Sequence, residues 1–113
     1  MKSIKAYVHH HRAADVIEAI KGARAWTSQD GAEPLHHIAV TPVQGTLPAL
    51  DDAERHYSIE LGLEVVREFK LELHCADEHA DELVAAIVAT ARTGQRCAGW
   101  VYVTDLDGAY PIR

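Results

Sequence analysis

Apolar and polar residues alternate along two stretches of the chain, residues 2–8 and residues 65–75. Alternation places side chains on opposite sides of an extended backbone, so each stretch is predicted to be a half-buried β-strand. Both strands should present one apolar side to a common core. These apolar sides consist of Ile4, Ala6 and Val8 in the first strand and Phe69, Leu71, Leu73 and Cys75 in the second.

Two other stretches carry apolar residues three and four positions apart, which is the spacing of one helical face. The first helix is predicted over residues 13–21 and ends at Gly22. The second helix starts at Asp77, whose carboxylate can accept hydrogen bonds from the free amides of the first turn. The apolar faces consist of Val16, Ile17 and Ile20 in the first helix and Leu83, Val84, Ile87, Val88 and Ala91 in the second.

Proline, glycine and charge predict the remaining segments. Residues 38–44 form a strand at an edge of the sheet, because Pro42 has no amide hydrogen to donate to a neighbour. Gly94 and Gly99 bracket a short loop that leads into a strand over residues 100–103. Two polar segments are predicted to lack regular structure, a connection over residues 23–36 and an exposed loop over residues 46–63.

The predicted order of elements is β-α-β-β-α-β. A weak internal repeat supports this order, since residues 15–20 and 82–87 share a pattern and each follows an alternating strand. Two such halves form a ferredoxin-like sandwich of the α+β class, in which an antiparallel sheet carries both helices on one face. The length of 113 residues and a hydrophobic fraction of 48% suit a single domain over residues 1–113. The other face of the sheet would carry Lys5, Tyr7, Lys70, Glu72 and His74.

Composition disfavours several classes of function. A formal charge of −6 argues against nucleic-acid binding, which needs a basic surface. No stretch approaches the ~20 apolar residues of a membrane span or resembles a signal peptide, so we expect no membrane insertion. The two cysteines, Cys75 and Cys97, form no disulfide framework and suit the reducing cytoplasm. Without a Walker loop, a nucleophile elbow or an HExxH motif, the chain is predicted not to be an enzyme.

Residues 91–94, Ala-Arg-Thr-Gly, with an interrupted stretch to Gly99 and then an apolar strand, resemble the nucleotide-binding loop of the PII signalling proteins. Residues 1–8 and 14–20 are similar to the first strand and helix of that family, and residues 40–45 to its second strand. The resemblance covers most of the chain apart from about residues 22–37. It implies a divergent PII-like protein that forms a homotrimer, with its sheets facing inward around the threefold axis.

The resemblance also implies a small effector, such as ATP, ADP or AMP, bound between subunits at residues 92–100. Cys97 replaces the middle glycine of the family pattern, and Trp100 replaces its phosphate-binding lysine. Triphosphate binding should therefore be weak or altered, and Trp100 would offer an aromatic face to a base; the alternative is a tight turn with a packing tryptophan. Pro111 falls where the tail of the family carries a basic residue. The ligand-binding residues that we expect are Gly45, Thr93, Gly94, Gln95, Arg96, Gly99, Trp100 and Arg113.

Residues 46–63 match in place and length the T-loop of the family, the mobile arm that docks on partner proteins. The resemblance implies that the chain controls a target protein, such as a membrane transporter, through this arm. Ala49 and Glu68 stand where the family has the glutamine and the lysine that help to bind 2-oxoglutarate, so classical 2-oxoglutarate sensing is not expected. The alternative is an acidic surface loop without a partner.

Eight histidines are unusual in a chain of this length. His9 and His11 share one side of an extended stretch and would form a metal-chelating pair, with His36 and His37 as further ligands. Imidazole suits Cu, Zn or Ni, although the spacing matches no known zinc signature and the alternative is exposed or hydrogen-bonded histidines. A metal-binding or metal-responsive PII-like protein of transition-metal homeostasis is therefore the second functional hypothesis.

Overall fold

The computed structural model describes residues 1–27 and 37–112. These residues form strands β1 (Lys2–His9), β2 (Ala39–Gly45), β3 (Arg55–Ser58), β4 (Leu63–Cys75) and β5 (Gly99–Asp105). They also form helices α1 (Ala13–Gly22), α2 (Arg24–Thr27) and α3 (Ala80–Thr90). Single 3₁₀ turns at His10–Arg12, Asp52–Glu54 and Asp77–His79 lead into α1, β3 and α3.

The strands form one antiparallel sheet in the order β2-β4-β1-β5, and β3 pairs with the beginning of β4. β2 lies at an edge, as Pro42 predicts. Val66 of β4 is opposite both Gly45 of β2 and Arg55 of β3. Since a strand has one neighbour on each side, β3 must lie on the β1 side of β4 and continue the line of β1 beyond His9.

The core lies between one face of the sheet and the helices. Leu71 and Leu73 of β4 are fully buried there, as their alternation predicts, beneath Ile20 of α1 and Leu83 of α3. Burying an aliphatic side chain of this size contributes about 1.5–3 kcal/mol. The predicted α+β fold, an antiparallel sheet with helices on one face, is therefore confirmed, and we call this side of the sheet the covered face.

The predicted irregular loop over residues 46–63 contains regular structure. Arg55–Ser58 forms β3, and its partner β4 begins at Leu63 rather than at residue 65. The two strands form a hairpin closed by a hydrogen bond of 2.8 Å from the Gly62 amide to the Ser58 carbonyl. The sequence did not reveal this hairpin, because three of the four residues of β3 are exposed and that strand has no apolar alternation.

The start of α3 and the segment after α1 also differ from prediction. Asp77 does not cap α3, since the Asp77–His79 turn precedes the helix and the Asp77 carboxylate binds the amino group of Met1 at 2.9 Å. The predicted connection over residues 23–36 begins with α2, and its residues 28–36 lie outside the described part of the chain. None of the described helices is long and apolar enough to cross a membrane.

The second side of the sheet, which we call the open face, has no helix over it within the described ranges. Tyr102 of the edge strand β5 lies on this face, edge-on to Tyr7 at a ring distance of 6.1 Å and stacked on Trp100 at 6.2 Å. Trp100 remains 56% exposed. At one end of this face the chain covers itself, because the amide of Leu47 lies against the carboxylate of Glu68, which is only 4% exposed. The open face carries Lys5, Tyr7, Glu68, Lys70, Glu72, His74, Trp100 and Tyr102.

Candidate functional site

The loop over residues 92–100, which we call the glycine loop, joins α3 to β5. Gly94 has a φ of 87°, which reverses the chain after the helix. Gly99 lies against the neighbouring strand, and a Cβ at this position would approach the carbonyl oxygen of Tyr7 to 2.2 Å. The pairing of β5 with β1 therefore requires Gly99, whatever binds at the loop.

The glycine loop forms one wall of a cavity of about 600 Å³. This volume is in the range of pockets that hold small ligands. Val84, Val88 and Val101 provide the apolar part of its wall. Val88 is half exposed and faces this cavity, whereas the sequence analysis predicted that it faces the core. Arg92 and Arg96 are exposed at the same cavity, and none of the described residues that line it is acidic. Of the predicted ligand-binding residues it gathers Gly94, Gln95, Arg96, Gly99 and Trp100.

Thr93 and Gln95 connect the glycine loop to the segment 46–63, which we call the arm. The Thr93 hydroxyl donates to the side-chain oxygen of Gln95 at 2.7 Å. The Gln95 side-chain amide donates to the carbonyls of Pro48 at 2.8 Å and Ala49 at 3.1 Å. The predicted ligand residue Gln95 thus also binds the arm, a contact that the sequence does not signal because some 46 residues separate the partners.

Gly45 lies apart from this group. A Cβ on Gly45 would come within 1.9–2.2 Å of the carboxylate atoms of Glu68, so the space beside Gly45 is filled by that side chain. Glu68 also accepts a hydrogen bond of 2.9 Å from the Leu47 amide. Burial raises the pKa of Glu68, although this amide and nearby His9 counteract the rise. A ligand role for Gly45 stays a prediction, and Arg113 lies outside the described residues.

His9 and His11 lie close together, as predicted, but the residue that completes their cluster is not a histidine. Their rings lie 5.8 Å apart because His10–Arg12 is a 3₁₀ turn, not the extended stretch that we expected. The third residue is Glu54 of the arm, whose carboxylate contacts both imidazoles. His37 is exposed and does not belong to this cluster, and His36 lies outside the described residues.

Glu54 is the polar residue that sequence reasoning missed. Burial raises its pKa, but the Leu50 amide and His9 act against burial and leave the pKa below its ordinary value. Its hydrogen bond to His9 spans 45 residues of sequence. A short pattern could not have revealed it, because the contact depends on β3 continuing the line of β1.

Comparison with known proteins identifies relatives along the whole chain. No protein-family profile matches. The nitrogen regulatory protein P-II of Cyanidium caldarium is 30% identical over 76 residues, which cover 67% of each chain. The P-II protein of Rhizobium etli is 28% identical over 113 residues, covering 100% of this chain and 92% of the relative. The P-II 2 protein of Methanothermobacter thermautotrophicus is 26% identical, with coverage of 100% and 90%.

The chain belongs to the nitrogen regulatory protein P-II family. The predicted resemblance is confirmed, and with identities of 26–30% the chain is a divergent member. Membership in a family of regulators also confirms that the chain is a signalling protein and not an enzyme.

In this P-II protein the two parts of the arm differ. Three contacts hold residues 47–54 against the rest of the chain. Glu68 accepts a hydrogen bond from the Leu47 amide, and Gln95 donates to the carbonyls of Pro48 and Ala49. The third contact joins His9 to Glu54. The hairpin that follows is formed by the pairing of β3 with β4, and Ile59 at its tip is 91% exposed. The arm therefore has a fastened base next to the glycine loop and a projecting end.

Proposed function

We propose that this P-II family protein binds a small effector, an adenine nucleotide such as ATP, ADP or AMP, beside the glycine loop and signals its presence through the arm. The observation that carries the proposal is the pair of hydrogen bonds from Gln95 to Pro48 and Ala49. An effector that competes for the Gln95 side chain changes what holds the base of the arm. It shifts the arm only as far as it prefers one arm conformation to the other.

The chemistry of the cavity supports a nucleotide. The exposed guanidinium groups of Arg92 and Arg96 suit phosphate oxygens, which arginine binds through paired hydrogen bonds. Aliphatic wall on the α3 side and the indole ring of Trp100 suit a base or a ribose. With Trp100 in the place of a lysine, we expect the contacts to phosphate to depend on these two arginines.

The projecting end of the arm supports docking on a partner protein. Tyr57, Ile59 and Leu61 are exposed on the hairpin that it forms with β4. Apolar side chains in one exposed patch commonly mark a protein contact. We propose that this end contacts a target protein such as a membrane transporter, in the cytoplasm.

The open face supports assembly into a homotrimer. Trp100 and Tyr102 are both more than half exposed on this face in the single chain, beside charged residues of both signs. Further copies of the chain would cover these rings and pair the charges. Sedimentation at micromolar concentration tests this proposal: a mass of three chains supports it, and a single chain of 12.4 kDa contradicts it.

Calorimetric titration with ATP, ADP and AMP tests the nucleotide. We expect saturable binding of at least one of them. Arg96→Ala should weaken this binding by about 10- to 100-fold, since a hydrogen bond to a charged group is worth about 1.5–3 kcal/mol. Arg24→Ala, which removes an exposed arginine from α2, is the matched control and should change little. No heat with any of the three at millimolar concentration would contradict the proposal.

Transmission to the arm needs a separate measurement. Hydrogen exchange of residues 46–54 should change when nucleotide binds to the wild-type chain. In Gln95→Ala the nucleotide should bind more weakly, and at saturating nucleotide the exchange of this segment should be insensitive to it. An unchanged response in that variant would show that another contact carries the signal.

A further inference from the structure

Two imidazoles and one carboxylate meet where β1 ends and the arm approaches it. Oxygen Oε2 of Glu54 lies 2.9 Å from Nδ1 of His9 and 3.8 Å from Nδ1 of His11. The possible ligand atoms of the three residues all lie within 4.8 Å of one another. The His9 side chain is 0% exposed, that of Glu54 is 9% exposed and that of His11 is 40% exposed.

These distances suit a divalent transition ion. Tetrahedral Zn²⁺ with bonds of about 2.0–2.2 Å holds its ligand atoms roughly 3.3 Å apart. The two separations at Glu54 fall on either side of this value, so small side-chain rotations would complete a three-residue site. A set of two nitrogens and one oxygen favours Zn²⁺, Cu²⁺ or Ni²⁺ over Cu⁺, which prefers sulfur.

The charge of the Glu54 carboxylate also favours a bound cation. A nearly buried carboxylate is costly unless a positive charge compensates it. Within residues 1–27 and 37–112, no lysine or arginine forms an ion pair with Glu54, so a bound cation would supply the compensating charge.

We propose that His9, His11 and Glu54 form a binding site for a divalent transition ion, with Zn²⁺ preferred. Three protein ligands would leave a fourth coordination position for water. Glu54 lies in the turn directly before β3, whereas His9 ends β1. The ion would thus join the arm to the sheet, and metal supply would set how firmly the base of the arm is held, independently of a nucleotide at the glycine loop.

Titration of untagged, metal-free protein with Zn²⁺ tests the site. We expect one ion per protomer, and His11→Ala and Glu54→Gln should each weaken binding at least about tenfold. His11 is partly exposed, so its variant should fold, which circular dichroism checks. His10→Ala is the control, because His10 belongs to the same histidine run but not to the cluster. Equal losses of Zn²⁺ affinity in His10→Ala and His11→Ala would mean that any run of histidines binds the ion, and would overturn the proposal. The absence of stoichiometric binding would overturn it as well.

Two further readouts examine geometry and consequence. Co²⁺ in place of Zn²⁺ should give the intense visible absorption of a tetrahedral site, which Glu54→Gln should lose. Zn²⁺ should slow hydrogen exchange in residues 50–58, and a chelator should reverse this effect. An octahedral Co²⁺ spectrum would overturn the proposed coordination, and exchange that ignores Zn²⁺ would overturn the link to the arm. Because the nucleotide proposal depends on Arg96 and Gln95, failure of either proposal leaves the other testable.

Discussion

The two faces of the sheet differ in how far a single chain completes them. On the covered face, Leu71 and Leu73 are shielded by α1 and α3 and have no exposed surface. On the open face, Trp100 and Tyr102 remain more than half exposed, whereas the end around Glu68 is covered by the base of the arm. The first face stabilises the single chain, and the second is the face that we propose to contact further copies of the chain.

Adjacent residues of β4 offer the strongest test of this difference. Leu73→Ala should lower the free energy of unfolding by about 2–5 kcal/mol, because it leaves a cavity in the core. Glu72→Ala, one position earlier and on the open face, should change it by no more than about 0.5 kcal/mol. Denaturant unfolding of both variants makes the comparison. Equal losses would mean that the open face is as tightly packed as the covered face in the protein in solution.

The covered end of the open face should respond to pH. Because burial raises the pKa of Glu68, ionising this residue costs more in the folded chain than in the unfolded chain. Relative to Glu68→Gln, the wild type should therefore lose stability as the pH rises from the ordinary glutamate pKa through the raised pKa of Glu68. Unfolding free energies from pH 3 to pH 7 measure it. Parallel curves for the two proteins would contradict the assigned burial.

The base of the arm should loosen when its bond to the glycine loop is removed. Gln95→Ala loses two hydrogen bonds, each worth about 0.5–1.5 kcal/mol, and the effect should be local. Hydrogen exchange should accelerate in residues 46–50 and stay unchanged in β1. Gln44→Ala on the edge strand β2 supplies a control. Acceleration throughout the sheet would indicate that Gln95 supports the whole fold.

The cysteines should show the smallest effect, a difference in labelling rate. Burial raises the pKa of the Cys75 thiol, and the charges of Asp77 and Glu78 add to this. Cys97 in the glycine loop is partly exposed and should react first with a thiol reagent, since the thiolate is the reactive form. Cys97→Ser should abolish the fast phase, and Cys75→Ser should retain it. A fast phase that survives Cys97→Ser would mean that the core opens readily around Cys75.

The periodic elements could be predicted from the sequence. Four elements each bury one side: β1, α1, β4 and α3. Their apolar residues therefore recur at the spacing of a strand or a helix, and this spacing is visible in the sequence. β3 has no such pattern of apolar residues, because it pairs through its backbone and leaves most of its side chains in solvent. Pairing without burial depends on long-range geometry, which a local pattern does not contain.

The candidate site divides in the same way. Gly94, Gln95, Arg96, Gly99 and Trp100 are close in sequence, and one loop brings them to one cavity. Gly45, Gln95 and Glu54 have contacts with residues more than twenty positions away, and none of these was predicted. Gly99 also shows that a glycine in a family motif can be required by strand packing alone.

Pro42 in the edge strand β2 has one more consequence. A sheet edge offers its free amides and carbonyls to any extended chain, which is how open-ended fibres grow. Because Pro42 has no amide hydrogen to donate, β2 is a poor template for such growth.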